Sequence, residues 1–491
     1  MRTCVMASLV GNSLGLAFAA AVLVGGVTGC RQAEAPAPSG TRTAPQAADP
    51  RLDGSYRFER NGWLYVHLEG APGRLGFQHG YLLARETEDL IRVLKPFLKE
   101  TTRRDWEFYR KAGEEMLWPK IDAEFQAELD GIADGLAARG VKADRWDVVA
   151  LNALEELPGY YVPWLDKQQG RPPAVKSTAH CSAFVATGSW TKDRRIVIGH
   201  NAWTGYITGA RWNIIFDLKP EKGYRILMDG LPGVITSDDD FGINSAGLMM
   251  TETTITLFHG FDPNGSPEFY RSRKALQYAS SIDDYVRIML ERNNGGYAND
   301  WLLGDNKTGE IARFELGLKY HGVERTTDGF FVGSNFPVDP KLINKETTFD
   351  VADTQSSPNA RRTRWEQLMA EHKGAIDAEL GKKFESDSYD VIEKRNGPTE
   401  RSLCGVLDTS PRGIPEWDQG PYYPGGTVQA KVADARMAEG MRLWAAMGHP
   451  CAPDFVAEEF LKSHPEYGWM RGLLIDMKTQ PWTEFASDMK R

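Results

Sequence analysis

One thiol, Cys181, opens a strand-like run, Cys181-Ser-Ala-Phe-Val-Ala, directly after a stretch rich in Pro, Gly and charge (residues 167–180). A second run, Arg195-Ile-Val-Ile, leads into Gly199-His200-Asn201. A thiol at a strand start, facing a polar cluster at the next strand's end, is the layout of a nucleophile. Its attacking form is the thiolate, so a base or a cation is expected nearby. Antiparallel pairing of residues 182–188 with 194–199, across a polar turn from Ser189 to Asp193, sets position 181 opposite position 200. Facing side chains on paired strands lie about 5 Å apart. His200 is therefore expected beside Cys181; the plainer alternative is a histidine that only caps a strand end.

The surroundings narrow the chemistry. Papain-like enzymes place their cysteine at a helix start, and their local signature is missing here. A cysteine that opens a strand after a cuttable loop fits another solution, in which the freed α-amino group of the same residue serves as base. Threonine with its own N-terminal amine is the known form of that pairing. Asp238-Asp239-Asp240 suggests a metal at first sight. Three consecutive carboxylates in a strand do not share one face, so a loop or a hydrogen-bonding role is the better reading. No H-E-x-x-H and no Gly-rich phosphate loop occurs. The cysteine spacings do not resemble a zinc site. No metal and no cofactor is expected.

The elements that must position these residues are legible in outline. The chain has 491 residues, 41% of them hydrophobic, with 14 Trp, 17 Tyr and 21 Phe, which is ample for a large core. The net charge of −9, with no block of Lys or Arg, argues against a nucleic-acid partner. Residues 1–29 read as a signal: Arg2, a short apolar stretch from Leu14 to Val27, then Thr28-Gly29-Cys30. Too few residues are apolar for a spanning helix, although a short uncleaved anchor is the alternative. Residues 30–54 read as a flexible tether. Of five cysteines, Cys4 and Cys30 belong to the signal. Outside the cytoplasm Cys404 and Cys451 can pair, which leaves Cys181 as the odd free thiol.

Residues 76–157 show helical spacing (Phe125, Leu129, Ile132, Ala133, Leu136, ended by Gly140), with a further helix over Arg145 to Leu157. From residue 181 the period changes. Strands are expected at 183–186, 196–198, 212–218, 225–228 and 248–255, and near 301–304, 310–315 and 329–333. A helix is expected over 268–292. Runs of strands followed by runs of helices imply sheets layered against helices, an α+β arrangement. The helical segment 55–180 precedes a core of residues 181–488.

Several segments resemble a known family. Gly199-His200-Asn201-Ala202-Trp203, Ser237-Asp-Asp-Asp-Phe241 and Gly247-Leu-Met-Met-Thr-Glu-Thr-Thr-Ile255 resemble the phospholipase B-like proteins, a group of N-terminal-nucleophile (Ntn) hydrolases. Gly76-Phe-Gln-His-Gly80, Glu128-Leu-Asp-Gly-Ile-Ala133 and Gly426-Thr-Val-Gln-Ala-Lys431 also resemble bacterial members and the related penicillin acyltransferases. The resemblance implies a four-layer αββα sandwich and self-cleavage between His180 and Cys181. Cys181 then becomes the N-terminal nucleophile. His200 and Trp203 match a GHN-x-W motif that lines the nucleophile. Asn335, in Gly333-Ser-Asn-Phe-Pro337, matches an asparagine that donates to the oxyanion. Thr254, or else Thr253, matches a second polar group. Arg361, or else Arg364, matches an arginine near the nucleophile. The penicillin acyltransferase and bile-salt-hydrolase branch usually carries Asp in place of Trp203, so the phospholipase B-like branch fits better. The N-terminus resembles a bacterial lipobox, which implies lipidation at Cys30 and an exported, membrane-anchored protein.

The expected function is a Cys-nucleophile hydrolase of acyl ester or amide bonds, acting on phospholipid or another fatty-acyl compound. The alternatives are an amidase or acyltransferase on N-acyl compounds, and a catalytically silent lipoprotein that binds a lipid or a partner.

Overall fold

Asn61 and Gly62 both adopt left-handed backbone angles (φ 46° and 79°). Asn-Gly supplies such angles at least cost and closes a two-residue hairpin. It joins β1 (Tyr56–Arg60) to β2 (Trp63–Gly70), with Arg60 facing Trp63. The computed structural model describes residues 49–172 and 180–490. The signal, Cys30, its lipidation and most of the tether lie outside the described residues.

Two large sheets carry the fold. The remaining strands are β3 (His180–Thr187), β4 (Val197–Gly205), β5 (Ile214–Pro220), β6 (Ile226–Gly230), β7 (Phe241–Asn244), β8 (Leu248–Thr254), β9 (Asn299–Asp305), β10 (Glu310–Leu316), β11 (His321–Thr326) and β12 (Gly329–Gly333), then a separate two-residue pair, β13 (Tyr389–Asp390) with β14 (Arg395–Asn396), and β15 (Gly425–Asp434), β16 (Arg442–Met447) and β17 (Thr483–Ala486). The first sheet runs β1-β2-β5-β6-β7-β8-β9-β10-β11, and the second runs β12-β3-β4-β15-β16-β17. Within the second sheet every pairing is antiparallel, and the first sheet's β2 and β5 run parallel. All seven residues of β9 are buried, as expected for a sheet covered on both faces.

The sheets pack face to face, with Ala183, Val185 and Ile198 of one meeting Met249, Leu302 and Ile311 of the other in one core. On the outer side of the first sheet, the helices Glu268–Tyr278 and Ile282–Leu290 bury Leu276, Tyr285, Ile288 and Met289 against Met250, Trp301 and Phe314. On the outer side of the second, the helices Ser357–Glu371 and Ala378–Phe384 bury Trp365, Leu368 and Phe384 against Phe184 and Val197. This is the four-layer αββα sandwich. Each strand's alternation feeds two layers: Phe184 and Ala186 point to the helices, Ala183 and Val185 to the other sheet.

Three expectations need correction. The stretch 55–180 is not purely helical, since β1 and β2 enter the first sheet. The single helix expected over 268–292 is two, broken at Ala279–Ser281. The strands β7, β11 and β13 to β17 had not been expected, the last five lying in a tail from residue 361 that reads as helices and Pro/Gly loops. The glycine-rich motifs at 76–80 and 128–133 have a packing role. The helices Pro72–Leu82 and Ala123–Ala138 cross so closely that a Cβ on Gly76 would lie 1.9 Å from the Glu128 carbonyl oxygen, and one on Gly131 2.3 Å from that of Gly73. Cys404 and Cys451 form a disulfide, and Cys181 is a free, buried thiol.

Candidate active site

Cys181 sits one residue into β3, second strand from the sheet edge, between β12 and β4. The hairpin register differs from the expected one by two positions. Cys181 faces Ala202, and His200 faces Ala183. The connection is longer than the expected turn because Gly188–Trp190 form a 3-10 turn after β3, and β4 begins only at Val197. A shift of two keeps every side chain on its face. His200 and Cys181 therefore remain diagonal neighbours between the sheets.

Around the thiol the first sheet supplies two carboxylates. Cys181 Sγ lies 3.5 Å from Glu252 Oε1 and 3.9 Å from Asp240 Oδ1. His200 Nε2 is 3.8 Å from Asp240 Oδ1. Glu252 is held at its ends: the Tyr297 hydroxyl donates to Oε1 at 3.2 Å, and the Asn299 amide, oriented to satisfy both its ends, donates to Oε2 at 2.9 Å. Lys431 Nζ donates to Asp240 Oδ2 at 3.1 Å and to Asp229 Oδ2 at 3.0 Å. All these groups are buried. Burial pushes the Cys181 thiol well up, and Glu252 and Asp240 push it further. Burial likewise raises Glu252, with Asp240 adding to the effect, and raises Asp240 against the opposing pull of Lys431. Burial, then Lys431, hold His200 well below the usual histidine range. The resting site is thus a neutral thiol and a neutral imidazole beside carboxylates that resist ionisation.

From the helical side, Arg361 fixes the backbone. Its Nη1 donates to the Cys181 carbonyl oxygen at 2.5 Å and to Ser182 Oγ at 3.1 Å. Its Nη2 donates to Asn335 Oδ1 at 2.9 Å and its Nε to Ser357 Oγ at 3.1 Å. The guanidinium stacks over Trp203, 4.9 Å from the ring centroid. Burial lowers the Arg361 pKa to about 9. Asn335 Oδ1 also accepts from the Cys181 N–H at 3.1 Å, and Asn335 Nδ2 donates to the Thr254 carbonyl at 2.8 Å. Asn335 itself has a left-handed φ of 70°, which asparagine tolerates better than most residues.

The structure brings Cys181, His200, Asn335 and Arg361 together, with roles that differ in part from those implied. Arg361 grips the Cys181 carbonyl oxygen and not its sulfur. Trp203 lies on the helical face, its Nε1 donating to the Leu403 carbonyl at 3.1 Å, and supports Arg361 without lining the thiol. Thr254 touches the site through its carbonyl, while its hydroxyl meets Tyr297 at 3.3 Å. Thr253 packs under Gly333. Arg364 is elsewhere, paired with Asp387 at 2.6 Å. His180 is the first residue of β3 and faces Trp203. Asp240, Glu252, Lys431 and Tyr297 had no assigned role. The first three stand inside the quoted motifs, so a signal existed. Asp238 and Asp239 take left-handed φ angles (59° and 65°), so the acidic triplet is a tight loop, and only Asp240 reaches the thiol.

The Phospholipase B family model matches residues 82–324. A phospholipase B from Crotalus adamanteus is 23% identical over 467 residues, covering 80% of each chain. Phospholipase B-like 1 from Bos taurus is 24% identical over 272 residues, 47% of this chain and 48% of that one. An uncharacterized protein from Archaeoglobus fulgidus is 26% identical over 274 residues, 50% of this chain and 42% of its own. The chain thus spans about half the length of the latter two. A conjugated bile acid hydrolase structure from Clostridium perfringens superposes over 54% of this chain and 88% of its own at 13% identity, with a TM-score of 0.34. The layered fold rests on the packing described above and not on that superposition. Over residues 82–324, which include Cys181, the chain is similar to the phospholipase B-like proteins.

Proposed function

We propose that the chain is an acyl hydrolase that activates itself by cutting the His180–Cys181 bond. The observation that carries this reading is the position of Cys181: a free thiol at a strand start, its N–H on Asn335 Oδ1 and its sulfur 3.5 Å from the Glu252 carboxylate. In the cut, Sγ attacks the His180 carbonyl carbon and the thiol proton passes to the Cys181 nitrogen. The C–N bond breaks, the Cys181 nitrogen leaves as an amine after gaining a proton, and a thioester remains. Water hydrolyses the thioester to a His180 carboxylate and restores the thiol. The new α-amine then stands where the peptide N–H was, beside Asn335, and serves as the base for substrate. Attack on an acyl ester gives acyl-Cys181 and the free alcohol, and water completes the turnover. Asn335 has a second amide hydrogen beyond the one given to Thr254, which suits it to the oxyanion. One such donor contributes roughly 3–4 kcal/mol of barrier lowering where it has been measured.

The names of the relatives favour phospholipid or another fatty-acyl ester as substrate. The lipobox-like N-terminus favours an exported, lipid-anchored enzyme. Purified protein should run as two fragments on a denaturing gel, one with Cys181 at its N-terminus, and Cys181→Ala should stay whole. Phospholipid should then turn over faster than N-acyl amides. An intact wild-type chain without turnover favours a silent binding protein. Faster amide turnover favours an amidase.

A further inference from the structure

Four side chains with different donor atoms converge between the sheets. One atom each from Cys181, His200, Asp240 and Glu252 lies within 4.8 Å of all the others, and all four residues are buried. His200 is fully buried, and neither ring nitrogen closes a hydrogen bond of normal geometry among the described residues, although the Glu252 backbone is close. We propose that these four groups form a site for one zinc-type divalent ion, and that the ion, when bound, blocks the thiol. The blocking half rests on the nucleophile reading above; the binding half does not.

The geometry fits. Zinc binds sulfur at about 2.3 Å and nitrogen or oxygen at about 2.0–2.2 Å, so a tetrahedral set has donors roughly 3.3–3.6 Å apart. The separations here are 3.5 Å (Sγ to Glu252 Oε1), 3.9 Å (Sγ to Asp240 Oδ1) and 3.8 Å (His200 Nε2 to Asp240 Oδ1). The remaining donor pairs lie within 4.8 Å, so shifts of up to roughly 1 Å would close the set. A mixed sulfur, nitrogen and oxygen set suits zinc better than magnesium or calcium. The outer oxygens are already oriented, as ligand carboxylates usually are: Asp240 Oδ2 by Lys431 and Glu252 Oε2 by Asn299. Charge points the same way. The carboxyl groups of Asp229, Asp240 and Glu252 and the Cys181 thiol share one ammonium, Lys431. A dication supplies the countercharge that would otherwise have to come from protons. The donors are spread over positions 181 to 252, which is why no linear zinc motif announces them.

The test uses the full chain, prepared with a chelator and then equilibrated with cobalt(II), a coloured stand-in for zinc. One equivalent should bind, with visible tetrahedral bands and a near-ultraviolet thiolate-to-cobalt band. Zinc should displace it. Cys181→Ser should lose the thiolate band, and His200→Ala should weaken binding at least about tenfold. Zinc-loaded protein should be uncut or inactive, and chelation should restore it. Absence of the thiolate band in the wild-type chain overturns the site without relying on any variant's folding. Stoichiometric binding unchanged in both variants overturns it too. Zinc-loaded protein as active as chelated protein overturns the block. Should no state of the protein turn over substrate, the hydrolase reading and the block fail while the cobalt spectrum still decides the site.

Discussion

Arg361 holds Cys181 by its carbonyl oxygen, at 2.5 Å, across the sheet from the thiol. The same guanidinium reaches Ser182, Asn335 and Ser357, so one buried cation aligns the Cys181 backbone and the Asn335 amide together. Removing it strands several buried acceptors at once. Arg361→Ala should destabilise the protein by about 3–5 kcal/mol in denaturant unfolding, the range for breaking buried charged networks. Arg361→Lys keeps the charge but not the fork, and should recover only part of that loss.

The Asp217 carboxylate is buried under Tyr65, His67 and Arg225. Burial alone would raise its pKa, but the bonds from His67, Arg225 and the Asp488 N–H more than offset this and hold it at about 2. A depressed acid contributes stability that is complete above its unfolded pKa of about 4 and disappears as pH falls toward 2. The contribution is about 2 kcal/mol. Unfolding free energy measured from pH 5 down to pH 2 should fall by that amount more in the wild type than in Asp217→Asn, which starts lower and is flatter.

The crossing of Pro72–Leu82 on Ala123–Ala138 leaves no space for a methyl group at Gly76 or Gly131. Gly76→Ala should cost about 1–3 kcal/mol through forced separation of the helices. Gly140→Ala is the control. Gly140 has a φ of 81° and nothing within 4 Å of its added Cβ, so only backbone strain, on the order of 1 kcal/mol, is at stake. Equal thermal shifts in the two variants would contradict the close-packing account.

The Cys404–Cys451 disulfide closes 47 residues of sequence separation. Chain-entropy reasoning assigns such a loop about 4 kcal/mol. Leu403, next to that bridge, accepts from Trp203 and Asn201. Reduction should therefore lower the unfolding midpoint. It should also loosen the Trp203 support under Arg361, readable as faster hydrogen exchange at the β4 end.

The Cys181 strand and its two neighbours, β4 and β12, were legible from β-branched and aromatic runs, and the likeness of the motifs pointed to the layered fold. The missing parts have physical causes. A two-position error in the β3–β4 register arose because the 3-10 turn at Gly188–Trp190 lengthens the connection, which no pattern of apolar residues records. The acidic triplet forms the loop expected of it, but no spacing rule showed that Asp240 within it reaches the thiol. Asn61-Gly62 is a plain hairpin signal, yet β1 and β2 lay in a stretch read by its helical spacing. The side from which Arg361 approaches depends on which layer its helix joins, and that is a property of the whole sandwich. Glu252 and Lys431 come near the thiol only when both sheets are stacked.

Strand β3 is flanked by β4 and β12, and its thiol cluster includes Asp240, Glu252 and, through β15, Lys431. Every one of these partners follows Cys181 in the chain, by as many as 250 residues in the case of Lys431. A chain still being synthesised cannot assemble that environment. Whatever Cys181 does chemically is therefore postponed until nearly the whole molecule has been made and folded, a built-in delay that needs no separate inhibitor.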